Sequence, residues 1–499
     1  NSGSGAVDFG GVIGGTNGLG TVSINATAGS GGNEATGTIA IAGVGSADGT
    51  TTSGTDNGST FTAGNTNTAS IALDGDMYFT GGNTLFEAAS GFTIDNQGAS
   101  AAVTNYKTSA DSLEFKGGTL YIQDVTTGVS IATANGAVTI NSIDGDHDET
   151  VTIAAGSGAV SVGRIGGDNA LGGADDAQGI KSVAITSTNT TGITLTGDIT
   201  TSDVANSDVT LTGKVVIDGS VDIDTSQGVD GSIEFTSTII GKDGSGDNLT
   251  LDTGNDTLTF NASTTIGAGD KPLSSLSIGQ NGGTAALTIP QIGDGSDDGV
   301  SGAVLIGTAT STSVTMRDQT YRFGTGNVTI TADTTGTIFS TTGNSTVDLA
   351  GGDFLITGAA KVSNGSLDIN TAGGDIEITG AIVGHNGDET LILDDNGSGS
   401  AVITLGGNVG ADSGNASNLA SVTLVGTGGI NLTGDITTSS TAGGAVAITG
   451  PVTLKGDVII DADAANTTVT LNSTATVNSD STSRDFEITT DGGKITVDS

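Results

Sequence analysis

The sequence contains a long internal duplication, and this feature limits the possible folds more than any other. Residues 192–224 and 429–461 are identical at 19 of 33 aligned positions, at a constant offset of 237 residues. Most differences exchange Ile, Leu and Val, or replace one small polar residue by another. The repeated residues form short Val/Ile/Thr runs separated by Gly and Asp, with no repeated set of reactive side chains. This pattern indicates that a scaffold was duplicated.

A shorter rhythm lies inside the long repeat. The runs that begin at Ile193, Val209, Ile233 and Leu249 follow one another at intervals of 16, 24 and 16 residues. Each run alternates apolar and polar residues and is rich in β-branched side chains, which favours a strand. Gly and Asn-Gly between the runs allow corners with positive φ. We predict an all-β parallel β-helix, an elongated β-solenoid with coils of roughly 16–25 residues and two or three strands per coil.

Tandem β-sandwich domains are the main alternative fold. They would repeat at about 100 residues and bury a large aromatic residue in each domain. The chain has 85 Gly, 12 Phe, 4 Tyr and no Trp in 499 residues. We find no long segment with apolar residues at helical spacing. A narrow solenoid core filled by small and β-branched residues therefore explains the composition better.

The duplication also predicts how the chain is divided. Offsets between the copies drift by a few residues, as expected when insertions and deletions fall in turns. The predicted divisions are residues 1–69 as diverged N-terminal β-rich coils, 70–260 as the first long solenoid unit, 261–314 as bridging coils and 315–499 as the second long unit.

The chain is strongly acidic, with 55 Asp and Glu against 13 Lys and Arg and a net charge of −42. Such a field repels nucleic acid and anionic membrane surfaces and attracts divalent cations. The sequence has no Cys, and no apolar run approaches the roughly 20 residues needed to span a bilayer. We expect no nucleic-acid partner and no direct membrane insertion. The sequence begins at Asn1 without a recognisable leader, so we expect a processed or truncated product.

Several phrases resemble the repeats of a known family. LTGDITT, AITGPVTLKGDVIID, LTLDTGNDTLTF and GGDIEITG are similar to repeats of bacterial filamentous-haemagglutinin-like adhesins. The resemblance covers much of residues 110–499. It implies a right-handed parallel β-helix shaft in a large protein that is secreted and displayed on a bacterial surface.

One acidic group has the spacing of a calcium loop. Asp144, Asp146 and Asp148 occupy the first, third and fifth positions of an EF-hand pattern. Glu149 stands where that pattern requires Gly, and Ala155 stands where it requires a bidentate Glu. The match is incomplete, and these three Asp residues are candidate Ca²⁺ ligands.

A second acidic group, Asp294, Asp297 and Asp298, lies in a Gly-rich turn and gives further candidate Ca²⁺ ligands. No cofactor is predicted to be required, and Ca²⁺ is the only candidate.

The only two histidines occupy corresponding places in the two units. His147 and His385 both precede a DET sequence. They are either a catalytic pair or turn residues inherited through duplication, and we favour turn residues because the two copies would lie far apart along a rod. Carbohydrate-cleaving enzymes also use β-helices, but they need clustered carboxylates and aromatic platforms. We therefore predict no catalytic residues and no enzymatic activity.

The last residues keep the strand rhythm. Ile495 and Val497 are spaced for one face of a strand, and no capping element is recognisable after them. Two explanations remain open: a longer parent chain continues the solenoid, or a neighbouring subunit supplies the next coil. The second explanation predicts self-association into a homopolymer, end to end or lateral.

These features predict a non-enzymatic extracellular structural protein, a shaft or a subunit of a filament or layer on a bacterial cell surface. The alternative is an adhesin stalk that binds host or neighbouring-cell receptors or glycans. Residues 50–69 and 294–320 are the candidate insertions for such binding. A polysaccharide-degrading β-helix enzyme is the most distant alternative.

Overall fold

Short strands with one buried row of side chains build the structure, a computed structural model. Every pairing between strands is parallel, and the described residues contain no helix. None of them therefore forms a helix long and apolar enough to cross a membrane. The described residues are 4–25, 36–45, 54–55, 58–95, 104–108, 111–123, 128–167, 179–280, 283–295, 297–333, 336–339, 343–397, 399–410, 418–440, 443–462, 467–472 and 474–498.

The chain forms two compact units, and each is a parallel β-solenoid. The first unit comprises Asn1–Lys242 and Leu249–Ser263, and the second comprises Asp243–Asn248 and Thr264–Ser499. The all-β solenoid predicted from the sequence is confirmed. The finer divisions at residues 69, 260 and 314 remain predictions.

Three ladders of strands run through the first unit, because a full coil contributes one strand to each ladder. The first ladder contains Val22–Ile24, Phe61–Gly64, Thr84–Ala88, Leu113–Gly117, Val138–Gly145, Val160–Ile165, Ile193–Leu195, Val215–Ile217 and Ile239–Gly241. The second contains Val7–Phe9, Ile39–Ile41, Ile71–Leu73, Phe92–Asp95, Leu120–Gln123, the C-terminal parts of Val138–Gly145 and Val160–Ile165, and Ile199–Thr200, Ser220–Asp224 and Asn248–Asp252. The third contains Met77–Phe79, Thr104–Thr108, Val129–Ala132, Glu149–Ala154, Ile180–Thr186, Val209–Thr212, Ile233–Phe235 and Leu258–Phe260.

The second unit repeats this plan. Its first ladder contains Thr265–Ile266, Gln291–Ile292, Thr320–Phe323, Ser345–Leu349, Ser366–Asn370, Thr390–Asp394, Ser421–Val425, Ala445–Thr449, Thr468–Leu471 and Lys494–Val497. Its second ladder contains Ser275–Ile278, Val304–Ile306, Val328–Thr331, Phe354–Thr357, Ile376–Ile378, Val402–Leu405, Gly429–Leu432, Val452–Leu454 and Val477–Ser479. Its third contains Ala286–Ile289, Ser313–Met316, Thr337–Phe339, Ala360–Val362, Ile382–Val383, Ile436–Thr438, Val458–Ala462 and Phe486–Thr490, with a bridge at Val409 between Ile382 and Ile436.

Hydrogen bonds between coils show that coil length varies. The shortest step joins Asn418 to Thr438, 20 residues apart, and the longest joins Asn25 to Asn65, 40 residues apart. Several coils are therefore longer than the predicted range of 16–25 residues. In the longest step, residues 26–35, 46–53 and 56–57 lie outside the described part of the chain.

The few aromatic residues are concentrated in one run of coils in the first unit. Phe86 and Phe115 are paired in register on adjacent strands, and their rings stack with centroids 5.2 Å apart. Phe61 contacts Phe86, and both Phe92 and Tyr106 contact Phe115 at centroid distances below 6 Å. The sequence as a whole contains few aromatic residues, but these coils of the first unit have a local aromatic core.

Two buried tyrosines in these solenoids differ in how their hydroxyl groups are satisfied. The hydroxyl of Tyr106 is buried without a hydrogen-bond partner. The hydroxyl of Tyr321 accepts a hydrogen bond from the Asp318 N–H at 2.7 Å and lies 3.5 Å from the Ile289 carbonyl oxygen. An unpartnered buried hydroxyl lowers stability, whereas a bonded one raises it.

We therefore expect Tyr106→Phe to raise the free energy of unfolding by about 1–2 kcal/mol and Tyr321→Phe to lower it by about 1 kcal/mol. Each substitution removes one hydroxyl from a fully buried ring, so the two variants are matched controls. Denaturant unfolding followed by tyrosine fluorescence and circular dichroism measures both effects. A loss of stability in Tyr106→Phe would show that its hydroxyl has a partner in solution.

Candidate functional site

The corner before Glu149–Ala154 in the first unit brings together three potential metal ligands. Asp146, His147 and Glu149 each place one ligand atom within 4.8 Å of the others, the one such group among the described residues. His147 is exposed, and its Nδ1 lies 2.6 Å from Asp146 Oδ1. Glu149 is fully buried at the first position of its strand.

The carboxylate of Glu149 is electrostatically unfavourable in this corner. Neither of its oxygens has a hydrogen-bond partner. Burial raises its pKa to about 8, although the N–H groups of His147 and Glu149 favour the ionised form. A Cβ at Gly145 would lie 2.3 Å from Glu149 Oε2, so a larger residue there would displace the carboxylate.

The structure separates the three Asp residues that have EF-hand spacing. Asp144 is buried, its Oδ1 accepts a hydrogen bond from the Gly145 N–H at 3.0 Å, and its Oδ2 lies 3.8 Å from Arg164 Nη2. Asp148 adopts a left-handed backbone conformation with φ of 60°. Of these three residues only Asp146 belongs to the three-ligand group. Calcium binding by Asp144, Asp146 and Asp148 together remains a prediction.

The corresponding corner of the second unit has a different arrangement. Glu389 is also fully buried, but its carboxylate accepts hydrogen bonds from the Asn386 N–H at 2.9 Å and the Gly387 N–H at 3.0 Å. His385 is exposed in the same corner. A buried Glu at the start of a strand is thus common to both units, and its partners differ.

The second predicted acidic group forms a tight turn. The backbones of Asp294 and Asp297 exchange two hydrogen bonds, with N···O distances of 3.2 and 2.7 Å. Asp270 from the preceding coil hydrogen-bonds the Asp297 side chain, and this bond and the Asp297 charge raise the pKa of Asp270. Within the described chain, Asp294, Asp297 and Asp298 do not form a three-ligand group as close as that of Glu149. Their binding of Ca²⁺ remains a prediction.

Many of the remaining acidic residues have a structural role at corners. In the second unit, Asn327 Oδ1 accepts a hydrogen bond from the Asp353 N–H at 3.0 Å. Asp353 Oδ1 accepts from the Asp375 N–H at 2.9 Å, and Asp375 Oδ1 accepts from the Val402 N–H at 2.8 Å. These side chains form a continuous ladder beside the strands, in which each one caps the backbone of the next coil. We call this series the corner ladder.

Glycine precedes each Asp of the corner ladder because the coils approach closely there. A Cβ at Gly352 would lie 2.1 Å from the Gly326 carbonyl oxygen, and a Cβ at Gly374 would lie 2.0 Å from that of Gly352. A Gly-Asp pair before an apolar residue therefore marks a corner: Gly allows the close approach and Asp caps the next coil. Sequence reasoning noted these Asp residues as dispersed charge and missed this role. The signal was the repeated Gly-Asp-Ile/Val/Phe sequence.

Comparisons with known proteins do not assign the chain to a family. No protein-family model, curated protein or solved structure matches it. The parallel β-solenoid is shown by the strand pairings themselves, and the resemblance to filamentous-haemagglutinin-like repeats remains a prediction.

The corner ladder predicts different effects for two substitutions at one position. Asp353→Ala removes the acceptor for the Asp375 N–H and is expected to cost about 1 kcal/mol of stability. Asp353→Asn keeps the acceptor, as Asn327 does one coil earlier, and is expected to be nearly neutral. Asp388→Ala removes a charge from an exposed corner and is the control. Amide exchange of Asp375 should accelerate only in Asp353→Ala, and unchanged exchange there would contradict the capping role.

Asp222 predicts a pH dependence of stability. Asp222 is exposed at the surface; partial desolvation, followed by the charges of Asp224 and Asp198, raises its pKa from 3.8 to about 6. The folded state therefore binds this proton more tightly than the unfolded chain, so the unfolding free energy rises as the pH falls from above 6 towards 3.8. Asp222→Asn should stabilise the protein above pH 6 and flatten this rise. Thermal unfolding across this range, with Asp388→Asn as control, measures the difference; equal profiles would contradict it.

Proposed function

We propose that the chain is a non-enzymatic extracellular structural protein, a β-solenoid shaft or a subunit of a bacterial surface filament or layer. The strand pairings that both duplicated blocks share support this role. Ile193 pairs with Val215 in the first block, and the equivalent residues Ile430 and Val452 pair in the second. The duplicated blocks therefore have the same coil geometry as well as similar sequences.

The corner caps are preserved in the same way. Asp198 Oδ1 accepts from the Asp222 N–H at 2.8 Å, and its equivalent Asp435 accepts from the Ile459 N–H at 2.7 Å. By contrast, the buried carboxylate of Glu389 accepts backbone hydrogen bonds, whereas neither oxygen of the buried Glu149 has a hydrogen-bond partner. The two copies thus agree better in the elements that hold successive coils together than in the arrangement of their ionisable groups. This is the behaviour expected of a scaffold.

The proposed location outside a bacterial cell rests on sequence properties. The net charge of −42 and the absence of cysteine suit a chain that is exported and stays soluble in salt. The resemblance to filamentous-haemagglutinin-like repeats points to the same location.

Self-association, end to end or lateral, is part of this proposal, and the strand Lys494–Val497 offers apolar side chains on which to test it. This strand pairs with Thr468–Leu471, where Val469 and Leu471 are buried. Ile495 and Val497 are the register partners of those two residues, yet they are 46% and 63% exposed. A further coil of the same chain or a second copy that adds a strand at this edge would bury both side chains and pair the backbone.

The adhesin stalk remains the second proposal, and the two candidate insertions bear on it. Within residues 294–320, the strands Val304–Ile306 and Ser313–Met316 belong to ladders of the second unit. Within residues 50–69, Phe61–Gly64 belongs to the first ladder of the first unit; residues 50–53 and 56–57 lie outside the described residues. These segments thus contribute to the coils, which favours a shaft over an inserted receptor site.

Self-association is tested by charging the exposed edge. We expect the wild-type chain to form concentration-dependent linear assemblies and the double variant Ile495→Lys/Val497→Lys to remain monomeric, because lysine opposes burial at this edge. Leu305→Lys is the matched control, since Leu305 is 42% exposed on a strand within a ladder. Sedimentation velocity and electron microscopy measure assembly, and circular dichroism verifies folding. A wild-type chain that stays monomeric at all concentrations would contradict self-association.

A further inference from the structure

Neither oxygen of the fully buried Glu149 carboxylate accepts a well-formed hydrogen bond, although the N–H groups of His147 and Glu149 partly favour its charge. Both oxygens lack a hydrogen-bond partner, and one of them lies in the group formed with Asp146 and His147. Isolation of a carboxylate inside a protein is costly, so such a group either remains protonated or binds a cation. The two neighbours are both ligand types for metal ions, and both are more exposed than Glu149.

The second unit shows what the same carboxylate requires. Glu389 is equally buried and is satisfied by the N–H groups of Asn386 and Gly387. There the left-handed position of the corner is Gly387, with φ of 84°, and its N–H turns towards the carboxylate. The corner of the first unit is one residue shorter and has Asp148 at its left-handed position. Its N–H groups make no hydrogen bond to Glu149 comparable to the two that Glu389 accepts.

We propose that Asp146, His147 and Glu149 bind a divalent transition-metal ion of the zinc class. The ion would supply the positive charge that two backbone N–H groups supply to Glu389. One imidazole nitrogen with two carboxylate oxygens is a donor set used by Zn²⁺ and related ions. Calcium and magnesium prefer oxygen ligands alone, so the histidine distinguishes the two classes of ion.

The geometry of the corner is compatible with this ion. Zinc ligands lie about 2.0–2.2 Å from the metal, so ligand atoms within 4.8 Å of one another need only a small closure. The two side chains that would move, Asp146 and His147, are the less buried ones, and Glu149 forms the fixed inner side. Asp144 is directed to Arg164 and is not part of the set. Three protein ligands leave room for water at the metal.

Direct titration of the full chain with Zn²⁺ and with Co²⁺ tests the proposal. The acidic surface binds cations weakly, so excess Mg²⁺ is present throughout to occupy it. We expect one equivalent of Zn²⁺ by calorimetry, and a visible absorption band from one equivalent of Co²⁺ that Zn²⁺ abolishes. Both signals should disappear in His147→Ala and in Glu149→Gln.

The second unit supplies matched controls. His385→Ala and Glu389→Gln make the same changes at the equivalent corner and should leave the bound equivalent intact. His147 is exposed, so its substitution tests the site even if Glu149→Gln fails to fold. The proposal is overturned if no equivalent binds, if His147→Ala binds as tightly as the wild type, or if Ca²⁺ displaces Zn²⁺ from this corner at similar concentration.

Discussion

Parallel backbone pairing between successive coils is the interaction on which the rest of this protein depends. A coil cannot satisfy its own N–H and C=O groups, so each strand needs the strand one coil before it and the strand one coil after it. Pairing in register places apolar residues above apolar residues, as in Leu113, Val138 and Val160, and so forms a continuous buried row. The corners are the places where this pairing stops.

The corners therefore determine both stability and chemistry. Where the backbone leaves a strand, Asp353 and Asp375 cap N–H groups that the strand ladders do not reach. Where a buried Glu occupies the corner, its charge needs a partner of its own. Glu389 accepts hydrogen bonds from two N–H groups, and neither oxygen of Glu149 accepts a well-formed one. A difference of one residue in corner length thus separates a satisfied carboxylate from a potential metal ligand.

The strands were predictable from sequence because alternation in runs such as VTLT at Val209 specifies which side chains turn inward. The sites were less predictable, because contacts between corners depend on coil length, which varies from 20 to 40 residues. Asp270 meets Asp297 across one coil, a proximity with no local sequence signal. In the sequence, Glu149 was considered only as a mismatch to the EF-hand calcium loop. Its importance comes from the burial of its carboxylate at the start of a strand. The repeated Gly-Asp sequence was visible, but its capping role could be recognised only once the register between successive coils was known.

The corner ladder has a direction. In Asn327, Asp353 and Asp375, the accepting side chain belongs to the earlier coil and the donating N–H to the later one. A finished coil thus presents its acceptors before the next segment arrives. A chain that emerges N-terminus first, from a ribosome or through a narrow pore, could therefore use each coil as a template for the next. Vectorial folding of this kind converts a process of many long-range contacts into a series of short steps.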